Sequence, residues 1–171
     1  MEYQLPETVD FEALRTIAEI SVTLAGIVGI IVVIQHRDAA FMALGMTTIF
    51  GTSFGAMIFA LLPDFLSGIL PTATMWRLVC GVFGLYHLFL ILQHQIKQRS
   101  IRANTPVQLI ITLASFPVVA AKLAVGLGFL LAYAFEVYYL GLLWMIGISA
   151  YLFAMIIFDN PQIEVEVQEK S

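Results

Sequence analysis

Charge is scarce in this chain, since only 12% of its 171 residues are Asp, Glu, Lys or Arg. A soluble domain carries about 25%. A soluble helical bundle this apolar would need a polar face on every helix, and segments such as IVGIIVVI at 27–34 have none. The composition therefore argues against a soluble protein. No basic face or aromatic–basic array is present either, so we expect no nucleic-acid partner.

Cysteine and the common catalytic motifs are also nearly absent. The single Cys80 excludes a disulfide within the chain and is expected to be a small buried packing residue. We find no helix-embedded zinc motif, phosphate-binding loop or nucleophile elbow. His87 and His94 lie on one apolar stretch about 10 Å apart, so they cannot be the two axial ligands of one metal. We therefore predict neither an enzyme nor a metal or other cofactor.

What the chain has instead is five long apolar stretches. About 20 residues of helix cross a bilayer core about 30 Å thick, and each stretch reaches that length. The sequence predicts an all-α integral membrane bundle of about five transmembrane helices, a single domain with an acidic tail over 159–171. Pro63 is expected to end the second span, and the almost wholly apolar fifth span is expected to face lipid. The predicted spans are 16–35, 41–62, 76–96, 106–132 and 138–158.

The basic residues of the loops predict the orientation. With the N-terminus outside, five Lys or Arg residues lie in the cytoplasm and two outside, which favours N-out/C-in under the positive-inside rule. The cytoplasmic face is expected either to contact anionic lipid headgroups or to bind the acidic tail. This predicted face comprises His36, Arg37, His94, Lys97, Arg99 and Arg102.

Small residues recur at four-residue spacing on the first two spans. Ser21, Ala25 and Gly29 follow one face of the first span, and Gly51 and Gly55 form a GxxxG pair in the second. Such spacings let helices approach closely in lipid, where association depends on packing. They predict close packing within the chain or an interface between subunits, and the pattern does not choose between the two.

A few polar residues lie within the apolar spans. A charged residue at the bilayer centre costs about 2.5–3.5 kcal/mol, so it usually faces protein or water. Lys122 and His87 are expected near the midplane, with Lys122 paired to Glu19. This group is interpreted as an ion pair that holds helix register, as part of a water-filled or proton-relaying path, or as a ligand site. The predicted polar core comprises Glu19, Thr48, Thr52, Arg77, His87 and Lys122.

Three segments carry a resemblance to known proteins. AEISVTLAGIVGIIVVIQHR at 18–37, FALLP at 59–63 and TMWRL at 74–78 resemble small multi-pass bacterial inner-membrane proteins of no established activity. The resemblance covers roughly the first 100 residues, and its motifs are not catalytic. It implies a bacterial inner membrane, and no site residue follows from it.

Two functions remain open from the sequence. The first is an oligomeric channel or passive transporter lined by the polar residues of the second and third spans. The second is a non-catalytic accessory or scaffolding subunit of a larger membrane complex. Both imply a lipid bilayer as the surroundings, and the first requires a homo-oligomer because five short helices seldom enclose a pore alone.

Overall fold

The computed structural model describes residues 10–34, 39–101 and 106–158, with side chains described for 10–30, 47–96 and 109–155. The regular structure in these ranges is helical, which confirms the all-α prediction. Five helices are long and apolar enough to cross a membrane, as expected for a multi-pass membrane protein. They are α1 Phe11–Ile34, α2 Ala39–Ser67, α3 Thr72–Ile101, α4 Pro106–Gly126 and α5 Ala134–Phe158, with a short 3-10 turn at Leu131–Tyr133 before α5.

Four of the helices form a ring. In the order α2, α3, α4 and α5, each packs against the next, and α5 closes the ring on α2. Helix α1 lies in the groove between α2 and α5. Successive helices run in opposite directions, so two ends are distinguished. The Arg77 end contains the starts of α1, α3 and α5, and the His94 end contains their last turns.

The prediction that α5 faces lipid is incomplete, because one face of α5 packs against the other helices while its opposite side is exposed. Helix α5 contacts each of the other four helices, and Tyr138, Leu142 and Met145 on it are fully buried. The error has a physical cause. In a bilayer, lipid tails are as apolar as Leu, so an all-apolar helix does not reveal which of its faces meets protein. Helices α1 and α4 are the peripheral ones, each packed mainly against two neighbours.

Helix α2 continues through Pro63 to Ser67, so the prediction that Pro63 ends the second span is wrong. A proline lacks the N–H that would bond the carbonyl four residues earlier, which here is that of Phe59. The hydroxyl of Tyr138 on α5 donates to this carbonyl instead. The missing backbone bond is thereby replaced, and the same contact ties α2 to α5.

Helix α4 ends at Gly126, six residues before the predicted end of the fourth span at 132. Gly128 has a positive φ of 95°. The amides of Gly128 and Phe129 donate to the carbonyls of Val125 and Ala124 at 2.8 and 2.9 Å. This is the Schellman arrangement, in which a glycine in the left-handed region ends a helix. The early stop lets α5 begin at 134 instead of 138.

The interior of the ring near the Arg77 end is filled by aromatic rings. Phe59 and Phe83 lie 4.6 Å apart between ring centroids, and Tyr138 lies 5.2 Å from Phe83 and 5.6 Å from Trp76. Aromatic pairs at such distances contribute about 0.5–1.5 kcal/mol beyond their burial. These four residues, here called the aromatic plug, fill this half of the interior.

The predicted small-residue faces of α1 and α2 lie inside the chain. Ser21 and Ala25 are buried, and a Cβ on Gly29 would lie 3.8 Å from the ring of Phe50. The Gly51–Gly55 pair does not bring two backbones together. Side chains of α3 fill the space beside these two glycines instead.

The close backbone approach occurs between α3 and α4, at glycines that the sequence analysis did not single out. A Cβ on Gly126 would lie 2.7 Å from the Cα of Gly81 and 3.1 Å from its nitrogen. Gly126 could not be replaced without moving a helix, whereas a Cβ on Gly81 would lie 3.7 Å from the Cα of Gly126, at ordinary contact distance. This contact holds the end of α4 against α3, and it sets the height of Lys122 relative to His87.

Candidate functional site

A lysine and a histidine form a buried hydrogen bond in the middle of the ring. Lys122 on α4 is 0% exposed and His87 on α3 is 2% exposed. The Nζ of Lys122 lies 2.7 Å from the Nδ1 of His87 and 3.6 Å from the centroid of the Phe83 ring. The face of an aromatic ring attracts a cation, so the Phe83 ring favours the ammonium form of Lys122. An ammonium that donates to Nδ1 leaves the ring hydrogen of His87 on Nε2.

The direction of the α4 helix decides where Lys122 points. Side chains of an α-helix tilt toward its N-terminus, and α4 starts at the His94 end. Lys122 lies four residues from the end of α4, about 6 Å along the axis, but its side chain extends back toward the centre of the bundle. It therefore contacts His87 and not a group at the Arg77 end.

The predicted pairing of Lys122 with Glu19 does not form. Glu19 is exposed on α1, which lies outside the ring, on the far side of α2 and α5. Among the described side chains, the one ion pair joins Arg15 to Asp64 at 2.7 Å on the surface. Lys122 instead meets a neutral ring nitrogen and an aromatic face.

No described carboxylate enters the interior of the ring. The five acidic residues in the described ranges are exposed or only half-buried. Burying a charge without an opposite charge is costly. The buried charge of Lys122 therefore destabilises the fold. Charged side chains buried in membrane proteins are functional candidates by default. The five are Asp10, Glu12, Glu19, Asp64 and Glu136.

A cavity of about 60 Å³ adjoins His87 on the side of the His94 end. Its wall comes from α2, α3, α4 and α5 of the same chain, and it extends along α3 from His87 to His94, about 10 Å. A cavity needs at least about 10–15 Å³ to hold one water, so this one has room for a few waters or a small ion. Its polar lining residues are Thr52, His87, His94, Thr112, Ser115 and Tyr151.

Side-chain hydrogen bonds join each adjacent pair of helices around the cavity. Thr52 on α2 and Ser149 on α5 share one at 2.6 Å, and Trp144 Nε1 on α5 donates to Ser115 Oγ on α4 at 2.9 Å. Gln95 on α3 donates to the hydroxyl of Thr112 on α4 at 3.0 Å, and Thr48 on α2 lies 3.3 Å from Nδ1 of His94 on α3.

These polar contacts also have a structural effect. Hydrogen bonds between transmembrane helices contribute about 0.6 kcal/mol each on average. Because they connect all four sides of the ring, they favour one register of each helix against the next. The polar layer therefore stabilises the bundle as well as lining the cavity.

The structure brings together part of the predicted polar core. Thr52, His87 and Lys122 lie in one layer, and Thr48 lies one turn nearer the His94 end, beside His94. Two members fall outside this group. Glu19 and Arg77 are both exposed, and the guanidinium of Arg77 lies against Gly128 where α4 ends.

Most of the predicted cytoplasmic face cannot be compared with the structure. His36, Arg37 and Arg102, and the tail over 159–171, lie outside the described residues. Lys97 and Arg99 are on α3, with side chains outside the described part. His94 is half-buried and lines the cavity rather than lying on a surface.

Sequence reasoning missed the residues that α5 contributes. Ser149 is the sole Ser or Thr in α5 and is 1% exposed. It continues the spacing of Tyr138, Leu142 and Met145, which lie four, three and four residues apart along one face. This repeat was the available signal, and it marks the side of α5 that faces the ring. The half-buried Trp144 and Tyr151 have no comparable signal.

Comparison with protein-family models, with curated proteins and with solved structures found no match to this chain. The resemblance of its first 100 residues to small bacterial inner-membrane proteins therefore stays a prediction.

Proposed function

We propose that this protein is a membrane channel or passive transporter in which a small solute reaches His87 through the polar cavity of a single chain. One observation carries the proposal. A fully buried lysine without a described carboxylate partner is hydrogen-bonded to a histidine, and this histidine lies at the closed end of a partly polar cavity in the core of the ring. A bundle that needed only stability would replace this pair with apolar residues at little cost or with a gain.

The proposed path differs from the expected pore between subunits. Its lining comes from four helices of one chain, so no second copy is needed to complete the wall. We still propose a homo-oligomer, in which each subunit would carry its own path. The GxxxG pair of α2 does not support that assembly, because side chains of α3 already fill its space.

The aromatic plug makes this the closed form in the proposed mechanism. The cavity ends at His87, and the rings of Phe59, Phe83 and Tyr138 fill the interior beyond it. Passage toward the Arg77 end requires these rings to move. We therefore expect gated, slow flux rather than the conductance of an open pore.

The membrane and the orientation are part of the proposal. Loop charge supports placing the N-terminus outside and the C-terminus inside, so the His94 end and the mouth of the cavity would face the cytoplasm. The resemblance of the first 100 residues supports a bacterial inner membrane. The lipid bilayer is then the principal partner of the exposed apolar faces.

Flux into proteoliposomes tests the transport proposal. Purified protein is reconstituted, and the uptake of small ions and of small neutral solutes is measured by light scattering and ion-selective electrodes. His87→Leu removes the hydrogen bond to Lys122 and makes the closed end of the cavity apolar, so we expect flux to fall at least tenfold. Arg77→Met removes a charge at an exposed site outside the cavity and serves as the control. Protein that is folded and reconstituted but passes nothing would refute the proposal.

Mixing subunits tests whether the path lies in one chain. Wild-type and His87→Leu subunits are combined in known ratios before reconstitution. A path within each chain predicts that flux falls in proportion to the mutant fraction. A pore shared between subunits predicts a steeper loss, because one defective subunit disables the whole assembly.

A second function, an accessory subunit of a larger membrane complex, has its own supporting observation. Gly147 and Ala150 on α5 are exposed, and a Cβ on Gly147 would meet nothing within 4 Å. Small exposed residues in a membrane helix permit close approach by another helix. Gly147→Leu would then release a co-purifying membrane protein of defined identity while leaving the isolated subunit folded.

A further inference from the structure

The interior charge is positive and unbalanced within the described part of the chain. Of the described side chains that are fully buried, Lys122 alone carries a formal charge, and the described carboxylates all lie toward the surface. A cation entering the cavity would meet repulsion from the Lys122 ammonium. An anion would be attracted by the same charge.

The hydrogen-bonding groups that face the cavity also favour an anion over a cation. With Nδ1 of His87 occupied by Lys122, its Nε2–H has no acceptor among the described residues. The hydroxyl of Tyr151 likewise has no hydrogen bond there, and the oxygen of Thr112 accepts from Gln95, so its own hydrogen remains to be donated. Ser115 already donates to the carbonyl of Ile111. Three donors that face the cavity are therefore unused, and such donors suit an anion.

We propose that the cavity binds one small monovalent anion, held by Nε2–H of His87 and the hydroxyls of Thr112 and Tyr151, with Lys122 as its counter-charge behind the imidazole. A volume of about 60 Å³ admits ions of one to about four heavy atoms, such as a halide, nitrite or formate. A dianion would leave one negative charge unpaired in a low-dielectric interior and is excluded. This assignment deepens the proposed function and rests on it for the claim that the bound ion is also transported.

His87 lies between the Lys122 ammonium and the proposed anion and connects the two. Lys122 does not line the cavity, whereas His87 does. The ammonium polarises the imidazole through Nδ1, and this strengthens Nε2–H as a donor. At about 7 Å and an effective dielectric constant of about 20, removing the Lys122 charge should weaken anion binding by on the order of 10–100-fold. Removing one hydroxyl donor should weaken it by roughly 2–12-fold.

Binding is measured by titration calorimetry on the full chain in nanodiscs of uncharged lipid. The probes are the sodium salts of chloride, nitrite and formate, with sulfate and gluconate as the doubly charged and oversized comparisons, all at constant ionic strength. We expect saturable binding of at least one of the three small anions and none of the comparison ions. Lys122→Met should weaken that binding by the stated factor, and Arg77→Met should not change it.

Two further variants keep the test decisive if Lys122→Met fails to fold. Thr112→Val and Tyr151→Phe each remove one hydroxyl at a half-buried position and should each weaken binding severalfold. Saturable binding that none of the folded variants changes would place the anion elsewhere and overturn the assignment. The absence of binding by all three small anions would overturn it as well.

Combined with flux, the results separate this inference from the proposed function. Anion binding without flux supports the site and refutes transport. Flux of a cation or neutral solute without anion binding supports transport and refutes the site. Anion binding with anion flux supports both, and the absence of binding and of flux refutes both.

Discussion

Replacing Tyr138 with Phe tests how α2 continues through a proline. The hydroxyl of Tyr138 donates to the carbonyl of Phe59, which is the acceptor left without a backbone donor by Pro63. Tyr138 is 0% exposed and Phe59 is 7% exposed, so no water replaces the lost donor. The substitution leaves the aromatic ring in place and removes only the hydrogen bond.

The expected loss of unfolding free energy follows from the carbonyl of Phe59, which Tyr138→Phe leaves without a donor. A buried polar group without a partner costs about 1–3 kcal/mol, and hydrogen bonds between membrane helices reach at most about 1.7 kcal/mol in measured cases. We therefore expect Tyr138→Phe to lower the free energy of unfolding by about 1–2 kcal/mol. In a Pro63→Ala background, the new N–H at 63 can bond the carbonyl of Phe59. The same substitution should then cost about 0.5 kcal/mol, so the two sites should be coupled by about 1 kcal/mol.

The measurement is a double-mutant cycle on reversible unfolding in mixed micelles with increasing SDS. Four proteins are compared: the wild type, the two single variants and the double variant. Tyr139→Phe provides the control, because Tyr139 is half-buried on the same helix and its hydroxyl makes no hydrogen bond within the described residues. Costs that add to within about 0.3 kcal/mol would show the sites to be independent. That result would refute the role assigned to the Tyr138 hydroxyl.

The glycines give two further predictions in the same unfolding assay. Gly126→Ala should destabilise the protein by about 2 kcal/mol or more, because its Cβ would lie 2.7 Å from the Cα of Gly81 and backbone cannot move aside cheaply. Gly147→Ala is the matched control, since its Cβ meets nothing within 4 Å. It should be neutral or stabilise the protein by up to about 1 kcal/mol. Equal costs at Gly126 and Gly147 would contradict the packing described. Gly55→Ala should cost about 1–3 kcal/mol, because its Cβ would lie 2.9 Å from the hydroxyl oxygen of Tyr86. It should also be partly rescued by Tyr86→Leu, and the absence of rescue would show that the tyrosine is not the obstacle.

The number of helices could be predicted because it depends on a local property. A run of about 20 apolar residues is long enough to cross a bilayer wherever it lies in the fold. The two helix ends that were predicted wrongly depend on more than hydropathy. Pro63 does not stop α2 because a hydroxyl from α5 replaces the missing bond. Gly128 ends α4 because it adopts a positive φ within an apolar run that hydropathy alone reads as continuous.

The candidate site was predicted in part, and the reason for the remainder is geometric. His87 and Lys122 were recognisable because polar groups in an apolar span are costly wherever they face. Their mutual contact was not recognisable, since it depends on the tilt of the Lys122 side chain and on the register set where Gly126 meets Gly81. Glu19 was assigned as the partner because it was the available acid on a neighbouring span. The position of α1 outside the ring excludes that pairing.

Taken alone, the amino-acid order determined that this is a helical membrane-type chain with five apolar segments and a few expensive polar residues, because span length and transfer cost are properties of single segments. Only the tertiary structure decided which face of α5 is buried, that the cavity belongs to one chain, and that Lys122 faces a histidine instead of a carboxylate. Those features depend on which helix faces meet. In a bilayer the same apolar side chains suit lipid and protein equally well, so composition does not specify which helix face meets protein. Packing between small residues and hydrogen bonds between polar groups decide it.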